Sequence, residues 1–146
     1  MKLLSSAIIQ MENAENYLKM CIAAIEVQQC KYDYMNEQSV IYRPNLPAYP
    51  TNTEIFLAEK IWLPSMEESL KIYTAKCGCD ITDSTTLLWL ADFINDKSKV
   101  NDYFVMFPMK EMVALCFVME KVFRKTWRGS YDTQTRVLSG EWVDLG

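Results

Sequence analysis

Eight consecutive apolar residues, MVALCFVM from Met112 to Met119, constrain the fold of this chain more than any other feature. The stretch follows Pro108 and precedes Gly129, and these two residues predict a helix from about Pro108 to Arg128. Proline is common in a first helical turn, and glycine is common just past a helix end. A helix that is apolar on every side is usually buried on every side. We therefore expect this helix at the centre of the domain.

The rest of the chain is also predicted to be helical. Apolar residues recur three and four positions apart from Leu4 to Ile25, which indicates one long amphipathic helix reaching the early thirties. Further helices are expected from Thr53, from Ser65, where Glu68 completes the spacing of a capping box, and near Ser84. Only four residues are glycine, fewer than a protein of many short strands usually needs for its turns. The sequence thus predicts an all-α fold, a compact bundle of five or six helices.

A chain of 146 residues suits one domain. We expect a single helical domain over residues 1–129, which includes a loop rich in tyrosine and proline at residues 32–52. Three prolines spaced three apart favour an extended conformation in that loop. Residues 130–146 are predicted to form an ordered, polar C-terminal extension, which docks on its own domain or on a neighbouring chain.

The amino-acid composition removes most familiar catalytic sites. The chain contains no histidine, which excludes serine–histidine and cysteine–histidine nucleophile pairs and zinc sites with imidazole ligands. No phosphate-binding glycine motif is present. Cys77, Gly78 and Cys79 are interpreted as the end of a helix, with a metal clip or a redox pair as the alternatives. Asp92 and Asp96 lie one helical turn apart and could hold Mg²⁺, although a solvated helix face is the simpler interpretation. We predict no catalytic residue, no cofactor and no metal site.

Charge and cysteine content indicate the compartment and the class of partner. The net charge of −4 is evenly spread, so no overall field attracts nucleic acid or an anionic membrane. No apolar run approaches the ~20 residues of a membrane helix. Five cysteines, an odd number without a secretory context, indicate reduced thiols in a cytoplasm. The expected partner is another protein or further copies of this chain, and neither a membrane nor a nucleic acid is favoured.

Two surfaces are candidates for contact with a partner. In the tyrosine- and proline-rich loop, the candidate contact residues are Tyr42, Arg43 and Tyr49. On the predicted last helix, basic residues at i, i+3, i+4 and i+7 would share one face, with an aromatic residue on its flank, because residues at these spacings are neighbours on a helix. These residues are Lys121, Arg124, Lys125 and Arg128, with Trp127 beside them and Trp142 in the C-terminal extension. The alternatives are a loop that packs over the bundle and cations that meet the negative end of the helix dipole.

These observations favour a non-catalytic protein that works by contact, such as a small cytoplasmic inhibitor, immunity factor or adaptor. The alternative is a structural subunit of a viral particle or ring-like assembly, of the connector type, whose C-terminal extension lies across a neighbouring copy. Its setting would be a host cytoplasm or a virion. A carboxylate enzyme that depends on Mg²⁺ is the third hypothesis.

Overall fold

The computed structural model describes residues 2–42, 60–77 and 84–145. Within these ranges the chain forms seven helices and two antiparallel pairs of strands. The helices are α1 (Lys2–Ala23), α2 (Ile25–Gln29), α3 (Lys31–Tyr34), α4 (Met66–Cys77), α5 (Ser84–Lys97), α6 (Tyr103–Met106) and α7 (Lys110–Lys121). The strands are β1 (Val40–Tyr42), β2 (Ile61–Leu63), β3 (Lys125–Asp132) and β4 (Val137–Asp144), with β1 paired to β2 and β3 to β4.

The apolar stretch from Met112 to Met119 is buried along its whole length in α7. The side chains of α1, α4 and α5 pack around it, together with Trp62 of β2 and Leu138 of β4. The prediction of a central, fully buried helix is therefore confirmed, and Met112 and Met119 fill the core as expected.

The prediction of an all-α fold is wrong, because the chain leaves the helical conformation after Lys121. Three residues past the helix end, Arg124 adopts a left-handed backbone with φ of 58°, and Lys125 begins a strand of eight residues. The residues predicted to be the last turn of a helix and a polar extension instead form the β3–β4 hairpin. This hairpin crosses the boundary predicted at residue 129. Over the ranges that the structure describes, the fold is a mixture of helices and two small antiparallel sheets, and not a helical bundle.

Gly129 does not cap a helix but faces Gly140 across the hairpin. Gly140 has φ of 134°, a conformation that side chains rarely adopt, and the indole Nε1 of Trp127 would lie 2.8 Å from a Cβ placed there. The two glycines let the strands approach closely and leave room for the indole. This requirement, and not helix termination, explains the glycine at each position.

Two buried amide side chains bind the strands to the N-terminal helices. Asn16 of α1 donates from Nδ2 to Arg136 O at 2.9 Å and accepts from the Leu138 N–H at 3.1 Å. Gln28 of α2 does the same for β2, since both its amide atoms bond the backbone of Trp62 at 2.8 Å. Each amide thus supplies the hydrogen bonds that a further strand would make at that position.

Other local predictions fare differently. The capping box before α4 is confirmed, because Glu68 N–H donates to Ser65 Oγ at 3.1 Å and Ser65 N–H donates to Glu68 Oε1 at 3.0 Å. The first helix is shorter than predicted: α1 ends at Ala23, and the chain continues in two short helices. The loop predicted at residues 32–52 begins within α3 and includes β1, and its residues 43–52 lie outside the described ranges.

None of the helices in the described ranges combines the length and the hydropathy that a membrane-spanning helix requires.

Candidate functional site

Helix α5 is fixed to the domain by one face only. Leu90 and Phe93 are buried against the core, and the Phe93 ring contacts the Phe117 ring of α7 edge-on, with 5.4 Å between centroids. Beyond them, Lys97 Nζ lies 3.1 Å from both carboxylate oxygens of Glu120 on α7. These contacts determine which side of α5 faces inwards.

The outward side of α5 carries apolar residues that nothing in the described structure covers. Leu87 and Leu88 are 55% and 61% exposed, Ile94 is 39% exposed, and Ala91 between them is exposed as well. Leu87, Ala91 and Ile94 follow each other at spacings of four and three, which places them on one face. We call Leu87, Leu88, Ala91 and Ile94 the apolar face of α5. Contiguous exposed apolar surface on a folded domain commonly marks an interaction site.

An apolar hollow of about 110 Å³ borders this face on one side. Ile94 of α5 and Phe104 of α6, which is 38% exposed, stand at its edge. Lys110, at the start of α7, supplies the charged group at its rim. Its lining residues are Met66, Leu90, Ile94, Phe104, Lys110, Val113 and Ala114. The hollow extends the apolar surface from α5 towards α6 and α7.

A second hollow of about 310 Å³ lies along the opposite flank of α5, and we call it the acidic hollow. Asp92 and Asp96 contribute carboxylates one helical turn apart. Trp89, 43% exposed, contacts the Tyr73 ring edge-on with 5.8 Å between centroids. Phe93 and Lys121 complete the lining. Two carboxylates, one ammonium group and three aromatic rings thus meet in one depression.

The residues predicted from the tyrosine- and proline-rich loop are only partly described. Tyr42 is the last residue of β1 and is exposed. Arg43 and Tyr49 lie outside the described ranges. An apolar groove of about 250 Å³ runs near β1, where Val40 faces Leu63 and Met109. A partner-binding role for the loop stays a prediction.

The predicted basic helix face does not exist as such. Lys121 is the last residue of α7, Arg124 lies in the left-handed turn, and Lys125 and Arg128 belong to β3. Lys125 Nζ lies 2.6 Å from a carboxylate oxygen of Glu26, and this pair raises the pKa of Lys125. The four cations are therefore spread over a helix end, a turn and a strand. The spacing that would place them on one face of a helix does not do so once the chain becomes a strand.

The two predicted tryptophans have a structural role in the hairpin. Trp127 and Trp142 face each other across β3 and β4, and their rings meet edge-on with 5.2 Å between centroids. Trp142 Nε1 donates to Met20 O of α1 at 3.0 Å, and Trp127 Nε1 donates to Ser139 O at 3.2 Å. Both indoles are half-buried against the core. Trp142 fastens the C-terminal hairpin to α1, and Trp127 joins the two strands of the hairpin.

No disulfide joins the cysteines in the described part of the chain. Cys21, Cys30 and Cys116 are buried, and burial raises the pKa of the Cys116 thiol to about 12. Cys77 is the exposed last residue of α4, and Cys79 lies outside the described ranges. Among the described residues, no three histidine, cysteine, aspartate or glutamate side chains group as metal ligands.

The apolar face of α5 was not among the surfaces predicted from the sequence. One signal was available. Leu87, Leu88, Leu90, Ala91 and Ile94 cover more of the helix circumference than a single buried stripe requires. A helix with this excess, and with acidic residues on its remaining face, has more apolar surface than one neighbour can cover.

No match to this chain was found among protein-family models, curated proteins or solved structures. Its activity is therefore inferred from its own side chains.

Proposed function

We propose that this protein acts by binding another protein, without catalysis of its own, and that the apolar face of α5 is the binding surface. The observation that carries the proposal is the exposure of Leu87, Leu88 and Ile94 on a helix whose opposite face is held by the core. Leucine and isoleucine in water contribute little to folding, whereas their burial by a partner would be favourable by about 25 cal/mol per Å².

The surroundings of this face support the same function. The apolar hollow beside Ile94 offers a depression for an anchoring side chain, and charged residues lie at the edges of the surface. Apolar centres with a polar rim are the usual arrangement of protein interfaces. We also infer a cytoplasmic setting from the odd number of cysteines and the burial of Cys21, Cys30 and Cys116 as separate thiols.

The alternative of a structural subunit was motivated by an ordered C-terminal segment. The contacts of Trp142 and Leu138 with α1 account for the order of that segment within a single chain. No other described contact favours this alternative.

The test uses purified protein and the partner that it captures from its native lysate. The variant Leu87→Glu/Ala91→Glu places two charges on the apolar face, and we expect it to weaken binding by about thirtyfold, as loss of an interface hot spot does. The matched control, Val40→Glu/Val137→Glu, changes two exposed apolar residues on strands. We expect its affinity to stay within about twofold of wild type.

Circular dichroism must show that both variants are folded. Undiminished affinity of the α5 variant, or an equal loss in the control, would contradict the proposed surface. Failure of the wild-type chain to capture any protein would contradict the proposed function.

A further inference from the structure

We propose that the partner presents a basic amphipathic helix, whose apolar side lies on the apolar face of α5 and whose lysine or arginine enters the acidic hollow. This inference rests on the proposed function and specifies the chemistry of the partner. Two features of α5 carry it: the position of the carboxylates relative to the apolar face, and the absence of a partner for either carboxylate among the residues that the structure describes.

The acidic residues of α5 border its apolar face at one edge, which is formed by Leu88. Leu88, Asp92 and Asp96 follow each other at steps of four residues, so they form one row along the helix surface. This row leads from the apolar face into the acidic hollow. A ligand that covers Leu88 therefore comes within reach of both carboxylates.

Several carboxylates in the described part of the chain are already engaged within the fold, whereas Asp92 and Asp96 are not. Glu120 pairs with Lys97, Glu26 pairs with Lys125, and Glu68 belongs to the capping box. Neither Asp92 nor Asp96 has a side-chain hydrogen bond or ion pair within the described ranges. Two exposed carboxylates without a partner beside an apolar surface are complementary to an incoming cation.

The lining of the hollow also suits a cation. Lys121 is present, yet it forms no ion pair in the described structure, so two carboxylates outweigh one ammonium group. Trp89, which is 43% exposed and rests on the buried Tyr73 ring, provides the accessible aromatic surface of the wall. A guanidinium or ammonium group is attracted to an aromatic ring face by about 0.5–1 kcal/mol at exposed sites.

The shape of the apolar face favours a helix as the ligand. Leu87 and Ile94 are seven residues apart, which is roughly 10 Å along the axis of α5, or two turns. Ala91 lies between them and is small, so a ridge of side chains on another helix can approach closely at this point. A partner helix would present apolar residues at i, i+3, i+4 and i+7 towards this stripe.

A second copy of this chain is a poorer ligand. If two copies of α5 packed antiparallel about a two-fold axis, each flank would face its own equivalent, so Asp92 and Asp96 would lie towards the same carboxylates of the other copy. Like charges placed together weaken such a contact. A helix with basic residues on the corresponding flank removes this repulsion.

The test uses two synthetic peptides of about 14 residues, a length at which isolated helices become marginally stable. One is an amphipathic helix of leucine and lysine, and the other has glutamate in place of every lysine. Binding to the full chain is measured by calorimetry at about 0.05 M and 0.3 M salt, since screening weakens exposed ion pairs. At the lower salt concentration, we expect the basic peptide to bind at least roughly tenfold more tightly than the acidic peptide.

Two variants separate the contributions. Asp92→Asn/Asp96→Asn keeps the shape of the hollow, and we expect it to weaken binding of the basic peptide by roughly five- to tenfold. Binding of the acidic peptide should not weaken, because the same change removes a like-charge repulsion. The control Glu37→Gln/Glu141→Gln removes the same net charge at two exposed positions away from α5, and we expect a change below about twofold. Leu87→Glu/Ala91→Glu should weaken both peptides.

The outcomes distinguish this inference from the proposed function. If both peptides bound equally well and Leu87→Glu/Ala91→Glu weakened both, the inference of a basic partner would be overturned, while the proposed binding surface would stand. If Asp92→Asn/Asp96→Asn left the affinity for the basic peptide unchanged, the role of the acidic hollow would be overturned. A dimer in analytical ultracentrifugation that the Leu87 variant abolishes would identify a second copy as the ligand and overturn the inference, as would failure of both peptides to bind.

Discussion

Replacement of Gln28 by leucine tests how this fold attaches its first pair of strands. Gln28 accepts a hydrogen bond from the Trp62 N–H and donates to Trp62 O, both at 2.8 Å, and it is almost fully buried. Leucine is similar in size but has no polar atom. The substitution therefore leaves the volume of the side chain nearly unchanged and removes both hydrogen bonds to Trp62, together with the one to Cys21 O.

The expected loss of stability follows from the groups left behind. Trp62 is fully buried, so neither its N–H nor its C=O can turn to water. A buried polar group that loses its partner costs about 1–3 kcal/mol, which gives about 2–6 kcal/mol for the two groups. Cys21 O, which also accepts a hydrogen bond from Gln28 Nε2, keeps the hydrogen bond from the Ala24 N–H. We expect the free energy of unfolding to fall by about 3 kcal/mol, after a small gain from the apolar side chain.

Urea unfolding followed by tryptophan fluorescence measures this change. Gln29 is the matched control, because it is the same residue type, adjacent in α2 and exposed. Gln29→Leu should change the free energy of unfolding by less than about 0.5 kcal/mol. The slope of the free energy of unfolding against urea concentration should be the same in both variants as in the wild type, since the surface exposed on unfolding does not change.

A third variant checks the mechanism. Gln28→Glu keeps an acceptor for the Trp62 N–H but replaces the donor to Trp62 O by a buried charge, so it should be unstable at neutral pH. Acidification protonates the carboxyl, restores a donor, and should recover part of the stability. If Gln28→Leu were no more destabilising than Gln29→Leu, the Gln28 amide would not be what holds β2 against α2, and the proposed role of buried amides in attaching the strands would be refuted.

Three further predictions concern the hairpin and the thiols. Gly140→Ala would place a Cβ against Arg128 O at φ of 134°, so thermal unfolding should show a loss of at least about 2 kcal/mol. The N–H groups of the turn lower the pKa of Asp132 below 3.8. The stabilising effect of this carboxylate is therefore present above pH 3.8 and is lost as the pH falls through the pKa of the folded state. Asp132→Asn keeps the acceptor, so denaturation at a series of acidic pH values should show a shallower loss of stability in this variant. Iodoacetamide labelling with peptide mapping at pH 8 should modify Cys77 rapidly and spare Cys116, and rapid labelling of Cys116 would contradict its burial.

The sequence predicts best where one physical requirement decides the outcome. Met112–Met119 has only one stable environment as a helix, the centre of the core, and the structure has it there. The pairing of Ser65 with Glu68 is equally local, because both hydrogen bonds lie within four residues of the chain. Neither prediction required knowledge of distant parts of the molecule.

The C-terminal hairpin could not be predicted in this way, because its stability depends on distant residues. The segment from Lys125 to Asp132 contains Thr, Trp and Tyr, which favour strands, yet the charges from Lys121 to Arg128 also fit a helical face. Asn16, more than a hundred positions earlier, decides between them by bonding the backbone of Arg136 and Leu138. A local pattern contains no information about such a partner.

The apolar face of α5 shows why a binding surface is harder to predict than a core. Leu87 and Leu90 are the same residue, three positions apart on one helix, yet Leu90 is buried in the domain and Leu87 is half exposed. The hydrophobic effect acts alike on both, and only the three-dimensional arrangement determines which leucine the domain itself covers. What separates them is the contact of Phe93 and Lys97 with α7, which orients the helix and leaves Leu87, Leu88 and Ile94 outwards. The same contacts that complete the fold thus create the surface that we propose for the partner, so the site follows from the packing of α5 and not from a motif.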